Sequence, residues 1–182
     1  MIKTENQIWK FLVAQFNQVL EDNGLSPDWT VLRNYQPSIQ GLKDKGIYLY
    51  KISKRRIGTQ GTITEKDAFG SWEVSDHWYE EILFQVSAFA KRDPATETEN
   101  TLTSEDVLGI LMAYINSALK VPAWKSAGYE VIKATSVRCM DFETDSGLQE
   151  KLPQFDFVLC VEQNNLKKIG EFDKVELETK RV

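Results

Sequence analysis

His77 is the single histidine of the chain, and it stands among Asp76, Glu80 and Glu81. A histidine beside carboxylates is raw material for proton transfer or for a metal site. Side chains alternate along a strand, so His77, Tyr79 and Glu81 share one face while Asp76, Trp78 and Glu80 share the other. Glu81 alone then joins His77, which is too few ligands for a metal. The plainer reading is a strand-end histidine in contact with water. The two cysteines, Cys139 and Cys160, fall near the end of one expected strand and within the next. A thiol nucleophile needs a base, and His77 is the one imidazole on offer. Buried free thiols are the common case. There is no CxxC, no HExxH and no Gly-x-Ser-x-Gly elbow.

Gly58-x-x-Gly61 follows the basic run Lys54, Arg55, Arg56. Glycines beside cations can cradle phosphate, but the Walker spacing is absent and no helix start follows. A loop with a solvated basic edge is the simpler reading. Of the five tryptophans, Trp9, Trp29 and Trp124 read as packing residues, while Trp72 and Trp78 flank a long strand and are placed to stack on a partner. Nothing here assembles an active site. No metal and no cofactor is expected.

The elements that position these residues follow from a chain of 182 residues, 42% apolar and 27% charged, with 10 Gly and 5 Pro. That composition excludes collagen-like, coiled-coil and largely disordered chains and fits one domain over residues 1–182. The net charge of −5 speaks against a DNA-binding face spread over the whole domain. Cysteine usage points to a reducing cytoplasm. The opening MIKTENQIWKF lacks the basic and apolar regions of a signal peptide, and no apolar run is long enough to span a membrane.

Thr4 with Gln7 reads as a capping box, followed by Ile8, Leu12, Phe16, Val19 and Leu20 at helical spacing and a stop at Asn23-Gly24. Strands are expected at residues 29–35, 46–53 and 72–90. In the last, Ile82, Phe84, Val86 and Ala88 face one way and Leu83, Gln85, Ser87 and Phe89 the other. Residues 58–71 read as an exposed loop or the tip of a long hairpin. Thr103 to Asp106 opens a second helix that Val121-Pro122 ends, and residues 123–127 make at most one more turn. Strands follow at 129–140 and 154–163, separated by a turn-rich segment. After a polar bridge, Lys174 to Val182 alternates Val175 and Leu177 with Glu176 and Glu178, the pattern of a half-buried strand that adds to a sheet edge. The expected fold is α+β, in the order α-β-β-β-α-β-β with this segment as a further strand. It has a mostly antiparallel sheet and both main helices on one side.

Certain residues carry a family resemblance. Gly46-Ile-Tyr-Leu-Tyr-Lys-Ile-Ser-Lys-Arg-Arg-Ile-Gly58 is followed by Trp78-Tyr79-Glu80-Glu81 running into Phe84-Gln85-Val86-Ser87-Ala88. With Leu102-Thr103-Ser104-Glu105-Asp106-Val107, Phe155-Asp156-Phe157 and the ending Lys180-Arg181-Val182, this order resembles the neck or tail-terminator ("gateway") proteins of long-tailed bacteriophages. The resemblance runs from about residue 29 to the end and implies a structural protein of the virion, put together in the host cytoplasm, and not an enzyme. It implies a ring of identical subunits, usually six, that caps the tail tube protein and joins it to a head-completion or connector protein. DNA would pass through the lumen without sequence-specific binding, and no membrane is involved. The expected interface residues are Lys54, Arg55, Arg56, Trp72, Val175, Leu177 and Val182. Two readings stand beside it: a tail-tube or secretion-tube relative, and a small enzyme using His77 and nearby carboxylates.

Overall fold

The computed structural model describes residues 2–33, 44–66, 72–91, 97–117, 121–143 and 149–169. Helix α1 (Glu5–Asp22) begins at the expected capping box: the Thr4 hydroxyl accepts from the Gln7 N–H, and the Gln7 side chain accepts from the Thr4 N–H. It ends at Asn23, and Gly24 takes a φ of +68° that a Cβ would resist. Strands β1 (Thr30–Arg33), β2 (Lys45–Lys66) and β3 (Trp72–Ala90) follow. Then come α2 (Ser104–Ile115), α3 (Val121–Ser126), β4 (Tyr129–Ala134), β5 (Arg138–Glu143) and β6 (Gln149–Ile169). The class is α+β, as expected, with a mostly antiparallel open sheet.

The sheet runs β1-β2-β3-β6-β4, and β5 also pairs with β6. Only the β1–β2 pair is parallel among the described strands. The alternation read in β3 sets the register. Phe84 lies opposite Phe157, Val86 opposite Phe155 and Ile82 opposite Leu159, all at most 2% exposed. On this face α1 lays Leu12 and Phe16, and α2 lays Val107, Leu108 and Leu111, into one hydrophobic cluster. Trp9 meets Phe84 edge-on at 5.2 Å, and Phe84 stacks on Phe157 at 5.4 Å. Both main helices therefore cover the same side of the sheet.

Several boundaries differ from the sequence reading. Residues 58–66, expected as loop or hairpin tip, continue β2 as strand; they pair with β3 as far as Lys66 opposite Trp72. Polar threonines and glycines hold the ladder because β3 is a full-length template beside them. Gly58, at φ +70°, lies within a register shift that absorbs the irregularity. Helix α2 stops at Ile115, capped by Asn116, and Val121-Pro122 opens α3 instead of ending α2; proline suits a first helical turn. The strand expected at 129–140 is two. Thr135 interrupts it by accepting the Asp156 N–H on its hydroxyl at 2.8 Å, so side chain replaces backbone in the ladder. β6 is far longer than the expected 154–163 and takes up the start of the polar bridge.

These long strands outrun the helices. α1 is 18 residues, about 27 Å. β2 is 22 residues, about 70 Å at ~3.3 Å each. Past Ile82 and Leu159, residues 54–66, 72–81 and 161–169 form a three-stranded arm some 30 Å long.

Candidate assembly surface

The arm holds most of the residues that the sequence singled out. At its base, on the helix side, Glu80 gathers the polar chemistry. Lys54 Nζ pairs with it at 2.8 Å, Gln163 Nε2 donates to it at 2.7 Å, and the Trp78 indole N–H lies 3.5 Å away. Burial pushes the Glu80 carboxyl up, but these donors outweigh burial and hold it below the ordinary carboxylate range. Gln163, 1% exposed, is satisfied on both ends: its Oε1 accepts the Lys3 N–H at 2.6 Å, and its amide reaches Glu80 and the Lys3 carbonyl. Lys3 in turn donates to the carbonyls of Gly128 and Glu162 and stands 4.7 Å over the Tyr129 ring. The segment before α1 thus pins the arm to the core. The solvent-open groove beside it, about 390 Å³, has its one buried-side cation already committed to those carbonyls.

The cations of the basic run are engaged within the hairpin. Lys54 pairs with Glu80 and Arg55 with Glu81, while the Arg56 guanidinium lies 5.0 Å from the Trp78 ring centre. Each cation meets a β3 residue directly across or diagonal to it, so the run is woven into the hairpin and does not line a phosphate cradle. Arg55 stays 76% exposed.

His77 has different company from that expected. Glu81 is taken by Arg55. The neighbours of His77 are Ser75, whose Oγ lies 2.7 Å from Nε2, and Glu162 of β6, 3.8 Å from Nδ1. The Ser75 hydroxyl donates to Asn164 Oδ1 at 2.6 Å. Ser, His and Glu in this order look like a nucleophilic relay, but β3 is paired on both sides here, Ser75 between Ile63 and Leu166, His77 between Gly61 and Asn164. Its N–H groups belong to the ladders, and an oxyanion needs free ones. The row is cross-strand cement. Among the described residues no group of three or more His, Cys, Asp and Glu is placed to hold a metal.

The cysteines correct the expectation of buried thiols. Cys139 is exposed, with Glu105 3.5 Å from its sulfur, and Cys160 is half-buried on the open face of the sheet. Burial and the carboxylates of Glu130, Glu81 and Glu162 push the Cys160 thiol up, which makes it a poor nucleophile. Trp9, Trp29 and Trp124 are buried, as packing residues should be. Trp72 sits in the ladder between Lys66 and Ile169. Its side chain, like Val175, Leu177 and Val182, lies outside the described residues.

The sequence reading missed the exposed apolar side chains of the arm. Ile63 and Leu166 are 46% and 52% exposed and flank Ser75 on one face; Tyr79, 49% exposed, lies on that face four residues on. Each is a single apolar residue among polar ones, so the signal is visible only once three strands align them.

This arrangement is scaffolding chemistry: charge pairs and cross-strand rows holding an arm whose faces await cover. Residues 7–170 match the family described as E217 gateway protein gp29. The chain belongs to this family of phage gateway proteins. It is a structural family of the phage neck, at the head–tail junction, and not an enzyme family. The match runs from Gln7 in α1 past the end of β6 and so includes the arm. No curated protein matches the chain. Among the described residues no helix is long and apolar enough to cross a membrane.

Proposed function

We propose that the chain, acting as one domain over residues 1–182, closes into a ring of identical subunits, six in number. The ring caps the tail tube, joins it to the head connector, and lets DNA pass through its lumen without reading sequence. The observation that carries this reading is the arm. Sheet that outruns the helices, with Ile63, Tyr79 and Leu166 each about half exposed on one face, gains little for a lone subunit and much for one whose neighbours cover it. In this reading Lys54, Arg55, Arg56 and Trp72 meet an adjacent subunit, and Val175, Leu177 and Val182 lie at the same kind of contact. The pairing of Lys54 and Arg55 with acids of β3 supports a protein partner over DNA for this run. The net charge of −5 per subunit supports a lumen that DNA does not stick to.

Native mass spectrometry and electron microscopy of the purified chain, alone and with tail tubes, test the reading. The expected outcome is a closed ring, alone or on tube ends, and tubes of fixed length. Stacking of rings into open tubes would make the chain a tube protein, and a dimer as the sole assembled species would overturn the ring. His77→Ala should leave assembly unchanged.

A further inference from the structure

Helix α2 departs from the pattern of a surface helix. Its inner side buries Val107, Leu108, Leu111 and Ile115. Its outer side should then be charged or polar. Yet no residue from Val107 to Ile115 carries a charge. Glu105, Gly109 and Ala113, four apart, run along the outer side; Ala113 is exposed, and Met112 beside it is half-buried. Gly109 stands in mid-helix, where only proline is a poorer helix former. Among the described residues nothing lies within 4 Å of the place its Cβ would take, so packing within the subunit does not call for a glycine. A glycine at this position admits close approach from outside.

The arm presents a surface that matches. Ile63 and Leu166 stand on either side of Ser75, two strand spacings or about 10 Å apart, and Tyr79 lies four residues, about 13 Å, along β3. All three are about half exposed on one face. Arg55, opposite Glu81, follows on that face and is 76% exposed. From the Arg55 row to the Ile63 row is about 20 Å along β3, and α2, with 12 residues, is about 18 Å long. The charges agree as well. Glu81 engages the Nε and one terminal nitrogen of Arg55, and a guanidinium has five donors. Glu105 has the Cys139 sulfur at 3.5 Å and, among the described residues, pairs with no cation.

Position in the fold decides whose α2 it is. Within one subunit α2 packs on the side of the sheet that carries Phe84 and Val86, and Ser75 and Tyr79 point to the other side by the alternation of β3. A subunit therefore cannot cover its own patch with its own α2. Two helix layers set face to face are related by a two-fold axis and make a pair. A rotation that closes a ring joins two different surfaces of one chain, and the opposite sides of one sheet are such surfaces.

We propose that the outer side of α2, from Glu105 to Ala113, packs on the arm face of the neighbouring subunit that carries Ile63, Tyr79 and Leu166. The first turn brings Glu105 to Arg55, Gly109 lies over the Tyr79 ring, and Met112 and Ala113 cover Ile63 and Leu166. The inference rests on the ring reading and names the contact that closes it.

The test uses two full-length chains, both carrying Cys139→Ser and Cys160→Ser. One adds Ala113→Cys and the other, differing in mass by a tag, adds Ile63→Cys. They are mixed, assembled on tail tubes, and treated with a short bifunctional thiol cross-linker. The expected product is the mixed dimer. Gly109→Gln, added to the chain with Ala113→Cys, puts a good helix former into open space, so the free subunit should melt no lower than its parent while the mixed dimer falls several-fold. Undiminished mixed dimer with Gly109→Gln would mean that nothing approaches this glycine, and would overturn the proposal. Rings seen by electron microscopy without the mixed dimer would overturn it and leave the ring reading standing. Linking of Ala113→Cys to a second Ala113→Cys, or to the tail tube protein, would assign the outer side of α2 to a two-fold pair or to the tube and overturn it too. Absence of any ring fails the ring reading, and the proposal falls with it.

Discussion

The same three strands behave as two different materials along their length. In the half covered by helices, β2, β3 and β6 contribute Ile47, Leu49, Phe84, Val86, Phe155 and Phe157, each at most 1% exposed. In the arm, the same strands present Arg55, Tyr79 and Leu166 to water. Backbone pairing runs through both, unbroken between β3 and β6 and with two register shifts between β2 and β3, so the presence of a ladder does not distinguish them. What changes is whether a helix lies on the sheet. Burial of apolar area stabilises by about 25 cal/mol per Å², so the covered half supplies the folding energy. The arm is held by pairing and a few charge networks, and its apolar area is left to be buried by something else.

The largest expected effect therefore lies under the helices. Phe157→Ala removes a ring that stacks on Phe84 at 5.4 Å and lies 6.4 Å from Phe16. It should cost about 3–5 kcal/mol. Tyr79→Ala, on the same sheet but 49% exposed, should cost under about 1 kcal/mol. Urea unfolding of the two variants checks this; equal losses would mean that the arm folds on burial as the core does.

Next comes the joint between the halves. Glu80→Gln keeps the shape of the side chain but weakens its bonds to Lys54 and Gln163, a loss of about 1–2 kcal/mol near neutral pH. The carboxyl is held below its ordinary value in the fold, so its contribution is fully present above the unfolded pKa of about 4.3. It is lost as pH falls through the lower, folded value. The variant should therefore show a shallower loss of stability below pH ~4.5. Parallel acid-unfolding curves for the two proteins would place the charge linkage elsewhere.

The contrast also explains what could be read in advance. The capping box at Thr4–Gln7, the helix start at Thr103 to Asp106, the apolar stripe of α1 and the period-two alternation of residues 82–88 are local signals, and each predicted its element. Residues 58–66 of the arm read as loop or hairpin tip because they are rich in Gly and Thr, and their strand character comes from β3 beside them. The same cause hid the true partner of His77. Glu81 shares its strand face, but Glu162 comes from β6 through a register that no single segment encodes. Likewise the pairing of Lys54 with Glu80 needs the hairpin register, so a basic run legible in sequence gave no hint that it was already engaged.

A smaller effect is expected at the cap of α2. Thr103→Ala removes the acceptor of the Asp106 N–H and the hydroxyl donor to the Asp106 carboxylate, which those bonds hold below its ordinary range. The loss should be about 1 kcal/mol, and it should leave the arm unaffected. Hydrogen exchange resolves this: protection should fall in α2 and across the covered half, while exchange of the arm's amides stays as in the parent protein. A matching change in the arm would show that the two halves open as one unit.

The smallest effect on stability should carry the largest on assembly. Ile63 and Leu166 lie on opposite sides of Ser75 in one cross-strand row, and each is about half exposed in the free subunit. Replacing both with Asp places charges where water already reaches. The fold should therefore lose no more than about 0.5 kcal/mol for each. If a neighbouring subunit covers this row, the same charges become buried without partners, at a cost of about 1–3 kcal/mol or more per contact. A ring repeats that cost at every interface, so the double variant should unfold like the parent protein yet fail to form rings. Circular dichroism against temperature reads the first half and electron microscopy with tail tubes the second. Normal rings from the double variant would show that this face of the arm stays in water after assembly, and that the contact between subunits lies along its edges.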